Sequence, residues 1–152
     1  MERIAVFPGS FDPITIGHES LIRRALPLFD KIIIAIGVNS NKNYFFDLAT
    51  RKKWIEDVFS DSEKVDVQTY EGLTINFCEK VNSRFILRGI RTAADFEFER
   101  TIALMNTAQK NEIETIFLVS SAEYSAINST VIREIIRNNG DARPFVPKAV
   151  TL

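Results

Sequence analysis

Five short apolar runs, each followed by a segment of helical periodicity, constrain the fold of this chain more than any other feature of its sequence. Most of the runs are rich in β-branched residues and nearly continuous in apolar residues, as strands buried on both faces are. They cover Arg3–Phe7, Ile32–Val38, Val65–Thr69, Phe85–Leu87 and Thr115–Val119. Strand and helix repeated five times predicts an α/β fold, with a doubly wound, mostly parallel, five-stranded sheet and helices on both of its faces.

Apolar residues recur at helical spacing between these runs and mark five helices. Asp47 is predicted to cap the second helix and Gly140 to end the fifth. No linker, low-complexity tract or repeat divides the chain, so residues 1–152 are predicted to form a single domain. The five stripes are Leu21, Ile22, Ala25 and Leu26; Trp54, Ile55, Val58 and Phe59; Phe77, Cys78 and Val81; Phe98, Ile102 and Met105; and Ile132, Ile135 and Ile136.

Charge and composition exclude several classes of partner. Nineteen Lys and Arg residues against twenty Asp and Glu give a net charge of −1, without the basic excess of a protein that tracks a long nucleic acid. The longest apolar run, Ile32–Val38, is far shorter than the ~20 residues of a membrane span. Neither nucleic acid nor a membrane is therefore predicted as a partner.

The amino terminus and the cysteine content indicate the compartment. Only a few apolar residues separate Met1 from Pro8, so no secretory signal is predicted and the protein is expected in the cytoplasm. Cys78 is the only cysteine, which excludes an internal disulfide and any multi-cysteine metal site.

Small, polar and cationic residues collect at the carboxyl ends of the predicted strands. Ligands of open parallel sheets bind beyond this edge. The pattern predicts an anionic ligand there. The segments are Pro8-Gly9-Ser10, Asn39 to Lys42, Tyr70-Glu71-Gly72, Arg88-Gly89-Ile90-Arg91 and Ser120-Ser121.

The segment from Gly9 to His18 is the most informative of these. A glycine at a strand end permits close approach of the backbone to a ligand, and Gly17-His18 opens a helix whose free N–H groups favour phosphate. His18 is the only histidine, and a lone histidine is most often a capping or surface residue. Its place at a strand-to-helix junction favours a functional role, and the helix end favours a neutral imidazole that donates to phosphate.

Two further segments carry weaker signals. Arg88 and Arg91 bracket a glycine after a strand and can address phosphate oxygens, although arginines at strand ends are often merely solvated. Lys42 lies in a polar loop, where a lysine usually faces solvent. Tyr124 to Thr130 precede the last helix, so their hydroxyls and amides could cap it or hold a phosphate or a nucleotide.

Several familiar devices are absent from the sequence. The six glycines fit neither G-x-G-x-x-G nor a Walker P-loop, and no G-x-S-x-G elbow accompanies a Ser–His–Asp set. Of the carboxylates only Asp95, Glu97 and Glu99 cluster. Asp95 and Glu99 share a helix face, which is more often solvated than a metal site.

The motifs together resemble those of a known group of enzymes. Gly9-Ser10-Phe11-Asp12-Pro13, followed by Thr15-Ile16-Gly17-His18, resembles the H/T-x-G-H signature of the nucleotidyltransferase superfamily. Ile127-Asn128-Ser129-Thr130 is similar to the second, I-S-S-T-like element of that superfamily. Leu87-Arg88-Gly89-Ile90-Arg91 and Ala94-Asp95-Phe96-Glu97-Phe98-Glu99 resemble the bacterial phosphopantetheine adenylyltransferases, and the match covers nearly the whole chain in order and spacing.

This resemblance implies a Rossmann-like nucleotidyltransferase fold and a reversible transfer of AMP from ATP to 4′-phosphopantetheine. The products would be dephospho-coenzyme A and pyrophosphate, in the penultimate step of coenzyme A synthesis. The resemblance also implies Mg²⁺ with the ATP and a homohexameric assembly. Because the attacking phosphate is already anionic, the chemistry needs no general base, which agrees with a chain that has one histidine.

The resemblance also assigns roles by position, with His18, Lys42 and Arg91 in catalysis, His18 stabilising the transition state, and no protein ligand to a metal. The substrate 4′-phosphopantetheine would contact Ser10, Lys42, Thr74 and Arg88. ATP would contact Ser10, Phe11, His18, Gly89, Ile90, Arg91, Glu99, Tyr124, Ser125, Ala126, Ile127, Asn128, Ser129 and Thr130.

Three positions depart from the family pattern, and none removes a charge. Ser10 replaces the usual threonine, Asn128 replaces a serine, and Thr74 stands where a larger apolar residue is common, so its contact is expected through the backbone. Two alternatives stay open. One is a sister enzyme, either an adenylyltransferase for nicotinate mononucleotide or a cytidylyltransferase for a small alcohol phosphate. The other is a nucleotide-sensing module that binds ATP without turnover.

Overall fold

All five predicted strands are present in a computed structural model that describes residues 1–152, and they form one parallel sheet. The strands are β1 (Ile4–Gly9), β2 (Lys31–Gly37), β3 (Val65–Tyr70), β4 (Phe85–Ile90) and β5 (Glu114–Val119). Their order across the sheet is β3-β2-β1-β4-β5, so the direction of winding reverses between β1 and β4. The predicted α/β fold with a doubly wound five-stranded sheet is confirmed.

Five helices cover the two faces of the sheet. They are α1 (Ile16–Ala25), α2 (Leu48–Val58), α3 (Thr74–Lys80), α4 (Ala93–Gln109) and α5 (Ser129–Arg137). The larger apolar cluster packs α1, α2 and α5 on one face, and the smaller cluster packs α3 on the other. None of the helices combines the length and apolarity needed to cross a membrane.

Four of the five predicted apolar stripes lie against the core, and the stripe of α4 does not. On α1, α2, α3 and α5 the stripe residues are buried or packed against the two clusters. The stripe of α4 faces outward instead: Phe98 is 67% exposed, and Ile102 and Met105 are also exposed. Periodicity identified the apolar face of α4 correctly, but no other part of the chain covers that face.

Of the two predicted helix boundaries, one is confirmed and the other is shifted by one residue. Asp47 caps α2 as expected, since its carboxylate accepts a hydrogen bond from the Thr50 amide at 2.7 Å. At the end of α5 the left-handed residue is Asn139, with φ 59°, rather than Gly140. Gly140 closes the turn through its amide, which donates to the Ile135 carbonyl at 2.8 Å. Asparagine tolerates this conformation better than most residues.

The prediction that β4 ends at Leu87 was wrong. Arg88, Gly89 and Ile90 belong to the strand, where they pair with residues 117–119 of β5. The glycine is needed there because a Cβ on Gly89 would lie 2.5 Å from a methyl carbon of Leu21. Arg88 therefore projects from a rigid strand rather than from a loop after it.

The sheet opens where its winding reverses. β1 and β2 pair over six residues, whereas β1 and β4 pair only at Ala5–Phe85 and Val6–Ile86. Beyond these pairs the carboxyl halves of β1 and β4 separate. A crevice at this point is the usual ligand site of a doubly wound sheet.

Candidate active site

Two adjoining cavities of about 340 and 390 Å³ occupy the carboxyl edge of the sheet, both within the range of small-molecule sites. The first, here called the Lys42 cavity, lies towards β2 and β3 and includes Lys42, Tyr70 and Thr74. The second, here called the His18 cavity, lies towards α1 and α5 and includes His18 and Arg133. They share Pro8, Gly9, Ser10 and Arg88 at the split between β1 and β4, together with Glu99 of α4.

Arg88 occupies the boundary between the cavities. Its Nη1 donates to the Pro8 carbonyl at 2.7 Å and so bridges the gap between β4 and β1. Its Nε and Nη2 donate to the two carboxylate oxygens of Glu99 at 2.9 and 2.6 Å. A bidentate pair of this kind fixes the plane of the guanidinium. Glu99, whose side chain is 12% exposed, is therefore a partner of Arg88 and not part of the solvated helix face that its spacing suggested.

His18 is held in one orientation by the helix that it opens. Thr15 is the N-cap of α1, and its hydroxyl accepts a hydrogen bond from the His18 amide at 3.2 Å. In return, the His18 Nδ1 accepts the Thr15 amide proton at 3.0 Å. Because a backbone amide can only donate, Nδ1 carries no proton and the neutral ring carries its proton on Nε2. That nitrogen remains free to donate to a ligand.

The surroundings of His18 keep its ring neutral. The ring packs edge-on against Phe11, with centroids 5.1 Å apart, and lies next to Phe7. Burial, followed by the charges of Arg88 and Arg91, lowers the pKa of His18 from 6.5 to about 4. The neutral donor expected from the sequence agrees with this shift, but burial rather than the helix end is its main cause.

The amino terminus of a second helix, α5, also faces the His18 cavity. Asn128 caps this helix, since its side-chain carbonyl accepts the Val131 amide at 2.9 Å. The next residue, Ser129, donates its hydroxyl proton to the Pro13 carbonyl at 2.8 Å. Thr130 accepts a hydrogen bond from Arg133, whose guanidinium also donates to the Asp12 carbonyl. Two helix amino termini in one cavity favour an anionic ligand.

Lys42 is the free cation of its cavity. It is exposed, and its ammonium group makes no hydrogen bond or ion pair within the chain. Arg91, by contrast, is tied to Asp95, whose carboxylate accepts from both the Arg91 amide and its Nε at 3.1 and 3.2 Å. Thr74 donates to or accepts from the Tyr70 hydroxyl at 2.8 Å, so its side chain already has a partner.

The structure brings together most of the site residues predicted from the sequence. Ser10, Lys42, Thr74, Arg88 and Glu99 line the Lys42 cavity. Three predicted residues, Ile90, Ser125 and Ala126, line neither cavity. The residues found at the His18 cavity are Ser10, Phe11, His18, Arg88, Gly89, Arg91, Glu99, Tyr124, Ile127, Asn128, Ser129 and Thr130.

Sequence reasoning missed several residues of the site. Arg133 lines the His18 cavity, and its spacing of three from Thr130 on a helix could have indicated the shared face. Asn106 lines the Lys42 cavity from α4, with no local signal in the sequence. Asp12 is largely buried but lines the His18 cavity, and it lies within a motif that was singled out for its glycines and histidine.

The carboxylates near the cavities are already engaged. Asp12 accepts two backbone amide protons, Asp95 pairs with Arg91, and Glu99 pairs with Arg88. No group of three or more His, Cys, Asp or Glu side chains is arranged to hold a metal ion. The remaining donors of the site are hydroxyls, amides and cations, which suit an anionic ligand.

Comparison with known sequences identifies relatives over almost the full length of the chain. The model of the cytidylyltransferase-like family matches residues 6–135. A phosphopantetheine adenylyltransferase of Flavobacterium psychrophilum is 54% identical over 148 residues, which are 97% of this chain and 97% of the relative. The phosphopantetheine adenylyltransferase of Bacteroides thetaiotaomicron is 44% identical over 150 residues, 99% of each chain.

Solved structures with the same fold are more distant in sequence. A bifunctional NMN adenylyltransferase/ADP ribose pyrophosphatase from Francisella tularensis superposes with a TM-score of 0.75 at 19% identity, covering 98% of this chain and 46% of that one. A Vibrio parahaemolyticus protein, provisionally assigned as a nicotinate-nucleotide adenylyltransferase, gives 0.70 at 21% identity and covers 99% of this chain and 96% of that one. At these identities the likeness shows the fold alone.

Proposed function

Because this chain belongs to the phosphopantetheine adenylyltransferases, within the cytidylyltransferase-like family, we propose that its two cavities hold the two substrates of one adenylyl transfer. The reaction is the reversible transfer of AMP from ATP to 4′-phosphopantetheine, which gives dephospho-coenzyme A and pyrophosphate. It is the penultimate step of coenzyme A synthesis. In this assignment ATP occupies the His18 cavity and 4′-phosphopantetheine occupies the Lys42 cavity.

The observation that carries this assignment is the junction of the cavities at Ser10 and Arg88. An adenylyl transfer requires the acceptor phosphate and the α-phosphate of ATP to meet at one point. The junction provides a guanidinium fixed by Glu99 and Pro8 and a hydroxyl at that point. Fixed donors at a reacting centre are the main means of catalysing phosphoryl transfer.

The proposed chemistry follows from charge and position. An oxygen of the acceptor phosphate forms a bond to the α-phosphorus of ATP, and the bond from that phosphorus to the bridging α,β-oxygen breaks, which releases pyrophosphate. No proton has to be removed from the nucleophile. His18 donates from Nε2 to the α-phosphate as charge develops there, while Lys42 and Arg91 orient and neutralise the two anions.

The other contacts are proposed by position in the family pattern. Ser10, Lys42, Thr74 and Arg88 hold 4′-phosphopantetheine. Since the Thr74 hydroxyl is paired with Tyr70, a backbone contact is the simpler role for this residue. The residues proposed to hold ATP are Ser10, Phe11, His18, Gly89, Ile90, Arg91, Glu99, Tyr124, Ser125, Ala126, Ile127, Asn128, Ser129 and Thr130.

Mg²⁺ is proposed to enter with ATP. The carboxylates at the site are engaged with amides and arginines, so the ligands of the ion would be triphosphate oxygens and water, with the hydroxyls of Ser10 and Thr130 nearby. Mg²⁺ keeps several waters and is often bound through substrate phosphates in this way. When bound, the ion would neutralise charge on the leaving pyrophosphate.

We further propose that residues 1–152 form one nucleotidyltransferase domain that assembles as a homohexamer in the cytoplasm. The outward-facing apolar stripe of α4, which comprises Phe98, Ile102 and Met105, forms a surface of the kind that subunits bury. Light scattering coupled to size-exclusion chromatography tests this assembly, because a hexamer has six times the 17.3 kDa of the chain.

The experiment that tests the function is a pyrophosphate-release assay with Mg²⁺, ATP and 4′-phosphopantetheine. We expect pyrophosphate and dephospho-coenzyme A in equal amounts. Parallel reactions with nicotinate mononucleotide in place of 4′-phosphopantetheine, or CTP in place of ATP, test the sister activities. Binding of ATP without pyrophosphate under all conditions would instead identify a nucleotide-sensing module.

A further inference from the structure

The loop that carries Lys42 has few attachments of its own. It spans residues 38–46, between β2 and Asp47, the N-cap of α2. On its outgoing limb the Val38 amide donates to the Tyr70 carbonyl of β3 at 2.8 Å. From Asn39 to Asn43 the backbone bonds only within the loop, where the Lys42 amide donates to the Asn39 carbonyl and the Asn41 amide to the Asn39 side chain. The position of Lys42 relative to the rest of the site must therefore be fixed elsewhere in the loop.

A buried carboxylate fixes the returning limb of this loop. Asp12 is 5% exposed and lies on the connection between β1 and α1. Its Oδ2 accepts the Phe45 amide at 2.8 Å, and its Oδ1 accepts the Phe46 amide at 2.9 Å. A carboxylate that accepts two backbone amide protons holds both peptide planes at a set distance from its own backbone.

A buried guanidinium fixes the same limb from the side of α2. Arg51 is 2% exposed. Its Nε donates to the Phe46 carbonyl at 3.0 Å, and its Nη1 donates to the Ser10 carbonyl at 2.7 Å. The guanidinium also lies over the ring of Tyr44 at 4.2 Å, and the Tyr44 hydroxyl donates to the Gly37 carbonyl at the end of β2.

Burying the charges of Asp12 and Arg51 costs free energy. Asp12 lines only the His18 cavity. Arg51 lines neither cavity, and burial lowers its pKa although Asp12 lies nearby. An apolar side chain could fill the same space without the desolvation penalty of a charge. An apolar residue, however, could not donate hydrogen bonds to the carbonyls of both Ser10 and Phe46.

We infer that Asp12 and Arg51 are positioning residues that hold the Lys42 loop in register with Ser10 and so set where the Lys42 ammonium meets the acceptor phosphate. This inference rests on the proposed assignment of Lys42 to that phosphate. The link also extends to the His18 cavity, because the Asp12 carbonyl accepts from Arg133 at 2.8 Å. One connection between β1 and α1 thus sets the position of both halves of the site.

The test uses Arg51→Lys, which keeps the charge but cannot reach two carbonyls, with Ser83→Ala as the matched control. Ser83 is also buried, and its hydroxyl also ties two backbone segments, but it lies at the opposite end of the sheet. For Arg51→Lys we expect kcat to fall about 10- to 100-fold and the KM for 4′-phosphopantetheine to rise more than that for ATP. Ser83→Ala should lower thermal stability and leave both KM values unchanged.

A double-mutant cycle separates positioning from general destabilisation. If Arg51 acts through Lys42, Arg51→Lys should change kcat by no more than about twofold when Lys42→Ala is already present. An equal loss of kcat in both backgrounds would overturn the inference while the proposed function stands. An inactive wild-type protein would instead overturn the proposed function.

Two further measurements keep the inference testable if Arg51→Lys does not fold. Tyr44→Phe removes only the hydrogen bond to Gly37, and it should raise the KM for 4′-phosphopantetheine by a few-fold. In the wild-type protein the amides of Phe45 and Phe46 should exchange with deuterium as slowly as those of β1. Fast exchange of both amides would contradict the inference without any variant.

Discussion

The two cavities present their functional groups on different kinds of structure. In the His18 cavity the groups belong to regular elements: His18 lies in the first turn of α1, Ser129 and Thr130 begin α5, and Gly89 lies within β4. In the Lys42 cavity the free cation lies on a nine-residue loop, 38–46. Secondary structure positions the groups of the His18 cavity, whereas the Lys42 cavity depends on side chains that tie a loop to its neighbours.

This difference predicts which substitutions affect the function of each cavity. The donors of a helix terminus stay in place as long as the helix forms, because the backbone itself carries them. A lysine at a loop tip stays in place only while its loop is held. Substitutions in the His18 cavity should therefore act through the groups removed, whereas the Lys42 cavity should also respond to changes some distance from any ligand.

The largest effect is expected for His18→Ala. Removing one donor to a developing charge lowers kcat by about 10²- to 10³-fold, the scale seen for a lost oxyanion donor. Steady-state rates of pyrophosphate release measure this loss. Near-normal turnover would contradict the assigned role of His18.

Two control variants sharpen that result. His18→Gln retains an acceptor for the Thr15 amide, because glutamine at this helical position is an ordinary capping-box residue. It should restore the stability lost in His18→Ala but not the turnover. Cys78→Ser changes a core residue whose pKa burial raises to about 12, and it should reduce stability without changing kcat.

Lys42→Ala should produce the next largest effect, and on the other cavity. A hydrogen bond to a charged group contributes about 1.5–3 kcal/mol, so the KM for 4′-phosphopantetheine should rise about 10- to 100-fold. Because Lys42 also orients the acceptor phosphate, kcat should fall at least as far as in Arg51→Lys. The KM for ATP should change much less. Titrating each substrate with the other at saturation makes the measurement, and a shift confined to the ATP curve would reverse the proposed layout.

The sequence predicted the sheet well, because buried parallel strands are nearly continuous apolar runs. It placed the end of β4 too early, since Arg88 and Gly89 have neither the apolarity nor the propensity of a central strand. Pairing of Arg88 with Phe117 on β5 carries the strand onward, and this non-local contact leaves no local signal. The periodicity of α4 likewise identified an apolar face without indicating what covers it.

The site was predictable where motifs are local and not where they depend on packing. Thr15 and His18 are three residues apart, so their mutual capping could be anticipated at the helix start. Asp12 and Arg51 meet the Lys42 loop from segments far apart in sequence. One signal was available, because Arg51 lies three and four residues before Trp54 and Ile55, on the apolar face of α2. A charged residue in that position indicates a buried partner.

The titration of His18 tests whether its cavity is as dry and cationic as the structure indicates. Its pKa is lowered to about 4 by burial and then by Arg88 and Arg91, so the unfolded chain binds the proton more readily between about pH 6.5 and 4. The free energy of unfolding should therefore fall as the pH drops through this window, by at most about 1.4 kcal/mol per pH unit from this group.

A single histidine makes this measurement direct. The ring resonances in a ¹H–¹³C NMR titration can belong only to His18, and ¹⁵N shifts should report the proton on Nε2. We expect a midpoint well below 6.5 and no His18 transition in the rate profile above about pH 5.5. A midpoint at or above 6.5 would show that the His18 ring is more hydrated, or farther from the charges of Arg88 and Arg91, than in this structure.

The smallest effects are expected at the start of α5, where the hydroxyls of Ser129 and Thr130 differ in what they can offer an anion. Ser129 already gives its proton to the Pro13 carbonyl, so its hydroxyl can only accept from a ligand, and ionised phosphate has no proton to give. Thr130 accepts from Arg133 and keeps its own proton free to donate. Thr130→Val, which retains shape, should therefore raise the KM for ATP about fivefold, the equivalent of about 1 kcal/mol.

Ser129→Ala should lower thermal stability with a smaller change in the KM for ATP, because the loss falls on the hydrogen bond to the Pro13 carbonyl. Neither variant should change the KM for 4′-phosphopantetheine, since both residues lie in the His18 cavity alone. If Ser129→Ala weakened ATP binding more than Thr130→Val, backbone amides and hydroxyls at this helix end would have to be arranged differently around the triphosphate.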